Sequence, residues 1–227
     1  EKNSDNQDKY DQDPNYDKYI KASDKFPIER GRWGYLPTQL QMFFKANSVE
    51  CQISKTNTQL KDNFPCLLRH GVEHHNSQSF IACISDAMFY EGTSESVKSI
   101  KEFKEYLKDI ISIEDFCKYH NGNLVQYFYD FESEVDVTQY PNIMKIKNLD
   151  ESKEEDNVYL HKIISAYQNF KAYLLDDEIS IDYAYLWDIV TTPNPKLFPA
   201  GINLIILELK HDDISNNVNI ICPTNYY

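Results

Sequence analysis

Residues 71–90 read GVEHHNSQSFIACISDAMFY, a polar loop that runs directly into an apolar segment. Apolar residues recur at helical spacing through the second half and a glycine follows it, so the pattern predicts a helix over 79–90. Ser79 stands where the loop becomes the helix, near the positive end of the helix dipole. A serine here is either a nucleophile with backbone N–H groups near a developing oxyanion, or an N-cap.

The charge of the chain bears on its partners. The 227 residues carry a formal net charge of −13. An acidic globule repels phosphate backbones, so we expect no direct binding of nucleic acid by this segment. The same charge suits a basic protein partner, or simply solubility. No apolar run approaches the roughly 20 residues that span a bilayer, so we expect no membrane contact.

The cysteines and histidines raise the question of a metal site. The 5 cysteines are odd in number and show no CxxC spacing, which predicts reduced thiols in an intracellular setting. His70, His74 and His75 lie near Glu73 and Cys66 in sequence. A zinc site needs three or four convergent ligands and adjacent histidines usually diverge, so we expect no metal and no cofactor.

Two cysteine–histidine pairs remain as alternative dyads, Cys66 with His70 and Cys83 with His75. Cys83 lies one turn into an apolar helix, where a cysteine is usually inert packing. Two arginines, Arg30 and Arg32, form either a small anion site or ion pairs on an acidic surface.

The order of elements predicts an α+β fold, α/β/α-like, with a small central β-sheet late in the chain flanked by several helices. Residues 1–24 are charged and poor in aliphatics, which indicates a polar acidic tail or linker. We expect a single domain over 25–227 with a mobile insertion near 132–156. Thr38 is predicted to be the N-cap of a short helix. Further helices are predicted over 79–90, 94–111, 113–119, after a cap at Asn123, 158–175 and 179–190. The predicted strands are 202–209, buried on both faces, and 218–222.

Two of these helices carry further expectations about burial. In the short helix capped by Thr38, the side chains expected to face inward are those of Leu40, Phe43 and Phe44. In the helix over 158–175, the apolar stripe predicted to lie inside consists of Leu160, Ile163, Ile164, Tyr167, Phe170 and Leu174.

Residues 78–89, QSFIACISDAMF, resemble the nucleophile helix of OTU-family (ovarian tumour-type) cysteine proteases, a papain-like fold. That family shows Asp-Gly-x-Asn-Cys, then apolar residues, then Ser-Asp. The resemblance covers roughly residues 60–227 and includes an apolar strand near the end followed by a polar residue beside a tyrosine. It implies a deubiquitinase framework, with Ser79 at the nucleophile position, Tyr226 at the general-base position, and Asn76 and Gln78 as oxyanion-loop candidates.

The sequence departs from the family at the chemistry. Ser79 replaces a cysteine, and a serine hydroxyl needs a good base beside it. Tyr226 replaces a histidine, and a phenol with a pKa around 10 is a poor base at neutral pH. We therefore expect a domain that has lost catalysis and acts as a protein-interaction module, with ubiquitin or a ubiquitin-like protein among the partners to test. The alternative is an active deubiquitinase-type hydrolase.

Other stretches resemble large proteins of nucleocytoplasmic giant DNA viruses, some of them early-transcription-factor-like. They are GRWGYLP at 31–37, CLLRHGVE at 66–73 and ICPTN at 221–225. This resemblance implies a segment of a longer viral protein, located in the host cytoplasm, the viral factory or the virion. A part in viral early transcription is a second alternative function.

Overall fold

The computed structural model describes residues 18–140, 143, 149, 150, 152–209 and 217–222. The chain divides into two compact units. Among the described residues, unit 1 combines 18–74 with 204–209 and 217–222, and unit 2 lies within 75–203. The prediction of a single domain over 25–227 stays a prediction. No described helix has the length and apolar character needed to cross a bilayer.

Unit 1 is built from short antiparallel strand pairs. The pairs are β1 (Trp33–Gly34) with β4 (Arg69–His70), β2 (Gln52–Ser54) with β3 (Asn57–Leu60), and β5 (Ile206–Leu209) with β6 (Val218–Ile221). The register places Trp33 opposite His70 and Ile206 opposite Ile221. A helix α1 (Thr38–Phe44) and a 3₁₀ helix (Ser48–Cys51) lie between β1 and β2 in the chain.

The late strands differ from their prediction. The expected strand over 202–209 begins only at Ile206, and the prediction that it is buried on both faces is wrong. Ile205 is 60% exposed and Ile220 is 49% exposed. Among the described residues each of these strands has one neighbour, so the pair has no second layer of strands to enclose it.

Helix α1 also differs from its prediction. The N-cap residue is Pro37, and Thr38, predicted to be the cap, is the first residue of the helix. Phe43 and Phe44 were expected to face inward, but they are 46% and 42% exposed, and no residue of α1 is buried. Lys45 ends the helix in the left-handed conformation after only two turns. A helix this short presents too few residues on one face to form a buried stripe.

The start of the described chain belongs to unit 1. Ile20 is 6% exposed, and the adjacent residues form isolated bridges, Tyr19 with Gln59 and Lys21 with Gly34. The ordered part of unit 1 therefore begins within the range predicted as a tail. Residues 1–17 of that range lie outside the described residues.

Two of the five cysteines are joined. A disulfide links Cys51 and Cys66, 15 residues apart in the chain. The prediction that all the thiols are reduced is therefore wrong at these positions. The hairpin β2–β3 turns the chain back, with the Lys61 N–H donating to the Cys51 carbonyl oxygen at 2.8 Å, and this brings the two cysteines within reach. Cys83, Cys117 and Cys222 are free.

Unit 2 is helical. The helices whose bounds lie within the described residues are α2 (Ser79–Tyr90), α3 (Ile100–Ile110), α4 (Ile113–Phe116), α5 (Leu124–Phe128), α6 (Glu154–Leu175) and α7 (Tyr183–Thr191), with 3₁₀ turns at Tyr119–Gly122 and Val137–Gln139. Helix α6 packs against α3 and α5, and α3 packs against α2. The prediction of an α+β fold is confirmed in general terms. In place of one small central sheet flanked by helices, the described strands form three separate two-stranded sheets in unit 1, and the described helices other than α1 and the 3₁₀ helix Ser48–Cys51 lie in unit 2.

Two helices begin at residues other than those predicted, each for a reason visible in the structure. Helix α3 begins at Ile100 rather than at 94, because Ser99 and Glu102 form a reciprocal capping box. Helix α6 begins at Glu154, inside the range predicted as an insertion. The three acidic residues of its first turn, 154–156, favour a helix start there because they face the positive end of the dipole.

The remaining helices are shorter than predicted. Helix α4 ends at Phe116 instead of 119, and α7 begins at Tyr183, where the Asp182 carboxylate accepts the Ala184 N–H. Asn123 is the N-cap residue of α5, as its position predicted, but its side chain makes no capping hydrogen bond.

Candidate functional site

Ser79 is the first residue of α2, and Gln78 is the N-cap residue. The Ser79 hydroxyl donates to the main-chain oxygen of His75 at 2.7 Å and accepts the main-chain N–H of His75 at 2.8 Å. The side chain thus closes the turn 75–79 in both directions. It is neither the N-cap residue nor directed toward a base, so its observed role is to fix the loop that precedes the helix.

The His75 ring lies beside another serine. Its Nδ1 accepts the Ser77 N–H at 3.3 Å and is 3.3 Å from the Ser77 hydroxyl. The Ser77 carbonyl oxygen in turn accepts the N–H of Ile181 at 3.0 Å. The ring therefore supports the loop rather than serving Ser79. Tyr226, the residue at the predicted base position, lies outside the described residues.

The side chain of Gln78 has a structural role. The side chain is buried, and its Nε2 donates to the carbonyl oxygens of Asp176 at 2.8 Å and Ile179 at 2.9 Å. Its Oε1 accepts from Lys104 Nζ at 3.0 Å. An oxyanion hole needs N–H donors that are available to the developing negative charge. The Nε2 of Gln78 already donates to two carbonyl oxygens, so it is not such a donor. Asn76, the other oxyanion-loop candidate, is exposed.

Lys104 contacts the start of α2, although the sequence pattern did not predict a role for it. Its ammonium group is buried and donates to Gln78 Oε1, to the Asp176 carbonyl oxygen at 2.8 Å and to Asp177 Oδ1 at 2.8 Å. The hydrogen bond from Lys104, followed by its charge, lowers the pKa of the Asp177 carboxyl. The signal in the sequence was a lysine on the apolar face of α3, beside Phe103 and one turn after Ile100.

The alternative dyads are not supported by the structure. Cys66 is bonded to Cys51, so it offers no thiolate to His70. The His70 ring instead packs 4.5 Å from the Trp33 ring. Cys83 is exposed, so the expectation that it is inert packing is wrong. Partial desolvation, and next the nearby Asp86 carboxylate, raise the pKa of its thiol, which disfavours the thiolate.

The arginines and the histidines were candidates for anion and metal binding. Arg30 lies 3.9 Å from a carboxylate oxygen of Glu73. Arg32 is buried and donates to the Tyr19 carbonyl oxygen at 3.3 Å. Within the described ranges, no three His, Cys, Asp or Glu side chains converge on one metal position.

A comparison of this chain with protein-family profiles, with curated proteins and with solved structures finds no match.

Proposed function

We propose that this chain is a catalytically inactive domain of the OTU type that acts as a protein-interaction module within a larger viral protein. The observation that carries the proposal is the engagement of the Ser79 hydroxyl with the main chain of His75 in both directions. The helix start retains the loop-to-helix arrangement of a nucleophile, but its side chain holds the loop closed.

A serine becomes a nucleophile only when a base takes its proton. The proton of Ser79 is directed at a carbonyl oxygen, which does not accept a proton at neutral pH. The sequence provides tyrosine at the family's histidine position, Tyr226, and a phenol is a poor base. Both facts favour loss of catalysis.

Stabilisation of an oxyanion also lacks its expected donor. Transition-state charge is stabilised by preorganised donors aimed at the developing oxygen. Gln78 instead uses its amide to join the start of α2 to residues 176–179. This arrangement supports a structural role for the former oxyanion loop.

The proposed partner is a protein, with ubiquitin or a ubiquitin-like protein first among those to test. The formal net charge of −13 favours a basic protein surface and disfavours nucleic acid. The setting that follows from the viral resemblance is the host cytoplasm, the viral factory or the virion.

The decisive experiment restores the missing groups one at a time. Ser79→Cys and Ser79→Cys combined with Tyr226→His are incubated with a ubiquitin-based suicide probe that captures an active thiolate. Both are made in a background in which the three free cysteines, Cys83, Cys117 and Cys222, are replaced by serine, so that labelling reports residue 79. We expect no labelling of the single variant, because it has no base, and labelling of the double variant.

Labelling of the single variant would contradict the loss of catalysis, since a base must then already be in place. Failure to label the double variant would count against the OTU-type framework. Circular dichroism of each variant shows whether the loop change has left the helices intact.

A further inference from the structure

Unit 2 contains an open cavity of about 540 Å³ beside the chain that follows α5 and the first turns of α6. Tyr129, Phe131 and Val158 line its apolar part, and Glu154 and His161 contribute polar groups. Concave sites with an apolar lining and a few polar groups are where proteins bind ligands and partner side chains.

Two of the apolar lining residues face solvent. Phe131 is 82% exposed and Val158 is 61% exposed. Removing a phenylalanine side chain from water is among the most favourable single burial events. Large apolar groups held at the rim of a concavity, rather than scattered over the surface, mark an interaction site.

The charge around this cavity is strongly acidic. Most of the acidic excess belongs to unit 2, where residues 75–203 hold 22 Asp or Glu and 11 Lys or Arg. The segments 129–136 and 152–162, which contain all the lining residues, hold 7 Asp or Glu and 2 Lys. Glu154 lies at the cavity itself, and exposed Asp130 and Glu132 flank Phe131 in the chain.

One of the two lysines is already engaged. Lys162 donates to Gln126 Oε1 at 2.8 Å, and its ammonium group lies 5.3 Å from the centre of the Tyr129 ring. Its charge remains, but two lysines offset only two of the seven acidic charges in these segments. Electrostatic complementarity at this site selects a positively charged partner.

We infer that this cavity docks a short basic segment of a partner protein. One large apolar side chain of the segment packs against Phe131 and Val158, and flanking Lys or Arg side chains face Glu154, Asp130 and Glu132. The inference rests on the proposed function, because it names the surface and the partner class of the interaction module.

The test uses three short synthetic peptides with a fluorescent label, and binding to the full chain is followed by anisotropy. The first carries a central Trp-Leu pair between lysines, the second has serines in place of Trp-Leu, and the third has glutamates in place of the lysines. We expect the first peptide to bind at least about tenfold more tightly than the other two. We also expect its binding to weaken as salt is added. Equal binding of the glutamate peptide would overturn the inference.

Variants of the protein then locate the binding surface. Phe131→Ala and Glu154→Lys are each expected to lower the affinity for the first peptide by about tenfold. Matched controls change exposed residues of unit 2 that do not line the cavity, Phe89→Ala and Glu95→Lys, and are expected to leave binding unchanged. Thermal melting checks that all four variants are folded. If Phe131→Ala and Phe89→Ala bind equally well, the assignment to this cavity is wrong.

The two proposals fail in distinguishable ways. Labelling of the Ser79→Cys variant would overturn the proposed loss of catalysis. It would not bear on the docking of the peptide, since Ser79 does not line the cavity. If the wild-type chain does not bind the first peptide, the proposed docking surface is wrong, and the proposed loss of catalysis at Ser79 is unaffected.

Discussion

The ammonium group of Lys104 lies 3.0 Å from the amide oxygen of Gln78, and both residues are only 1% exposed. Through this pair α3 holds the residue that precedes α2, and the other side of the Gln78 amide holds residues 176 and 179. A lysine is costly to bury unless its donors are satisfied. Here three acceptors receive them.

The first prediction removes this buried cation. Lys104→Met leaves the buried Gln78 Oε1 without its donor from Lys104 and removes one of the two donors to the Asp176 carbonyl oxygen. We expect a loss of about 3 kcal/mol in the free energy of unfolding. Urea denaturation measures it. The matched control is Lys101→Met, an exposed lysine of the same helix, expected to change stability by less than about 0.5 kcal/mol. Equal stability of the two variants would mean that Lys104 is not held as described.

The second prediction concerns pH. Because Lys104 lowers the pKa of Asp177 in the folded state, the stabilisation is present at neutral pH and is lost as the pH falls through that lowered value. Asp177→Asn should therefore be less stable than wild type at neutral pH, and the two should converge in acid. Urea midpoints measured across the acidic range check this. Glu178→Gln, a change at the neighbouring exposed carboxylate, should leave the difference between neutral and acidic pH as in wild type.

The third prediction counts thiols. Alkylation of the unreduced, denatured chain should modify Cys83, Cys117 and Cys222 only, as read by intact mass. Cys51→Ser should lower stability by about 3 kcal/mol, the value expected for closing a loop of this length. Cys222→Ser, at an exposed position of the same unit, is the control. Modification of all 5 cysteines without reductant would show that the disulfide is not formed.

The fourth prediction tests a close backbone approach in unit 1. A Cβ at residue 71 would overlap the carbonyl oxygen of Glu29, which is main chain and does not move aside cheaply. We expect Gly71→Ala to cost about 3 kcal/mol or more. Gly31→Ala is the comparison, because Gly31 has a φ of +76° but open space around its Cβ, and should cost about 1 kcal/mol. A smaller loss at 71 than at 31 would contradict this packing.

The long helices were predictable because their periodicity extends over many turns. In α6 the residues predicted to lie inside are all nearly fully buried: Leu160, Ile163, Ile164, Tyr167, Phe170 and Leu174. The same argument failed for α1, where two turns give too weak a pattern to separate a core face from an exposed one. It also failed for β5, because an apolar run shows that burial is favourable and not that a covering layer exists.

The site was predicted in position but not in role. The sequence placed Ser79 at the start of a helix, and the structure confirms this placement. It did not reveal that Gln78 bonds to Asp176 and Ile179, since residues about a hundred positions apart share no local pattern. The disulfide was missed for a related reason, because an odd number of cysteines carries no information about which two a hairpin brings together.

Unit 1 draws on both ends of the described chain, and this affects the order in which the molecule is made. A ribosome releases the amino-terminal side first, so all of unit 2 emerges before β5 and β6 exist. Helix α1, which contacts β6 in the finished molecule, spends most of translation without that neighbour. The exposed phenylalanines of α1 are thus available to chaperones, without the neighbouring strand, until β6 has been synthesised.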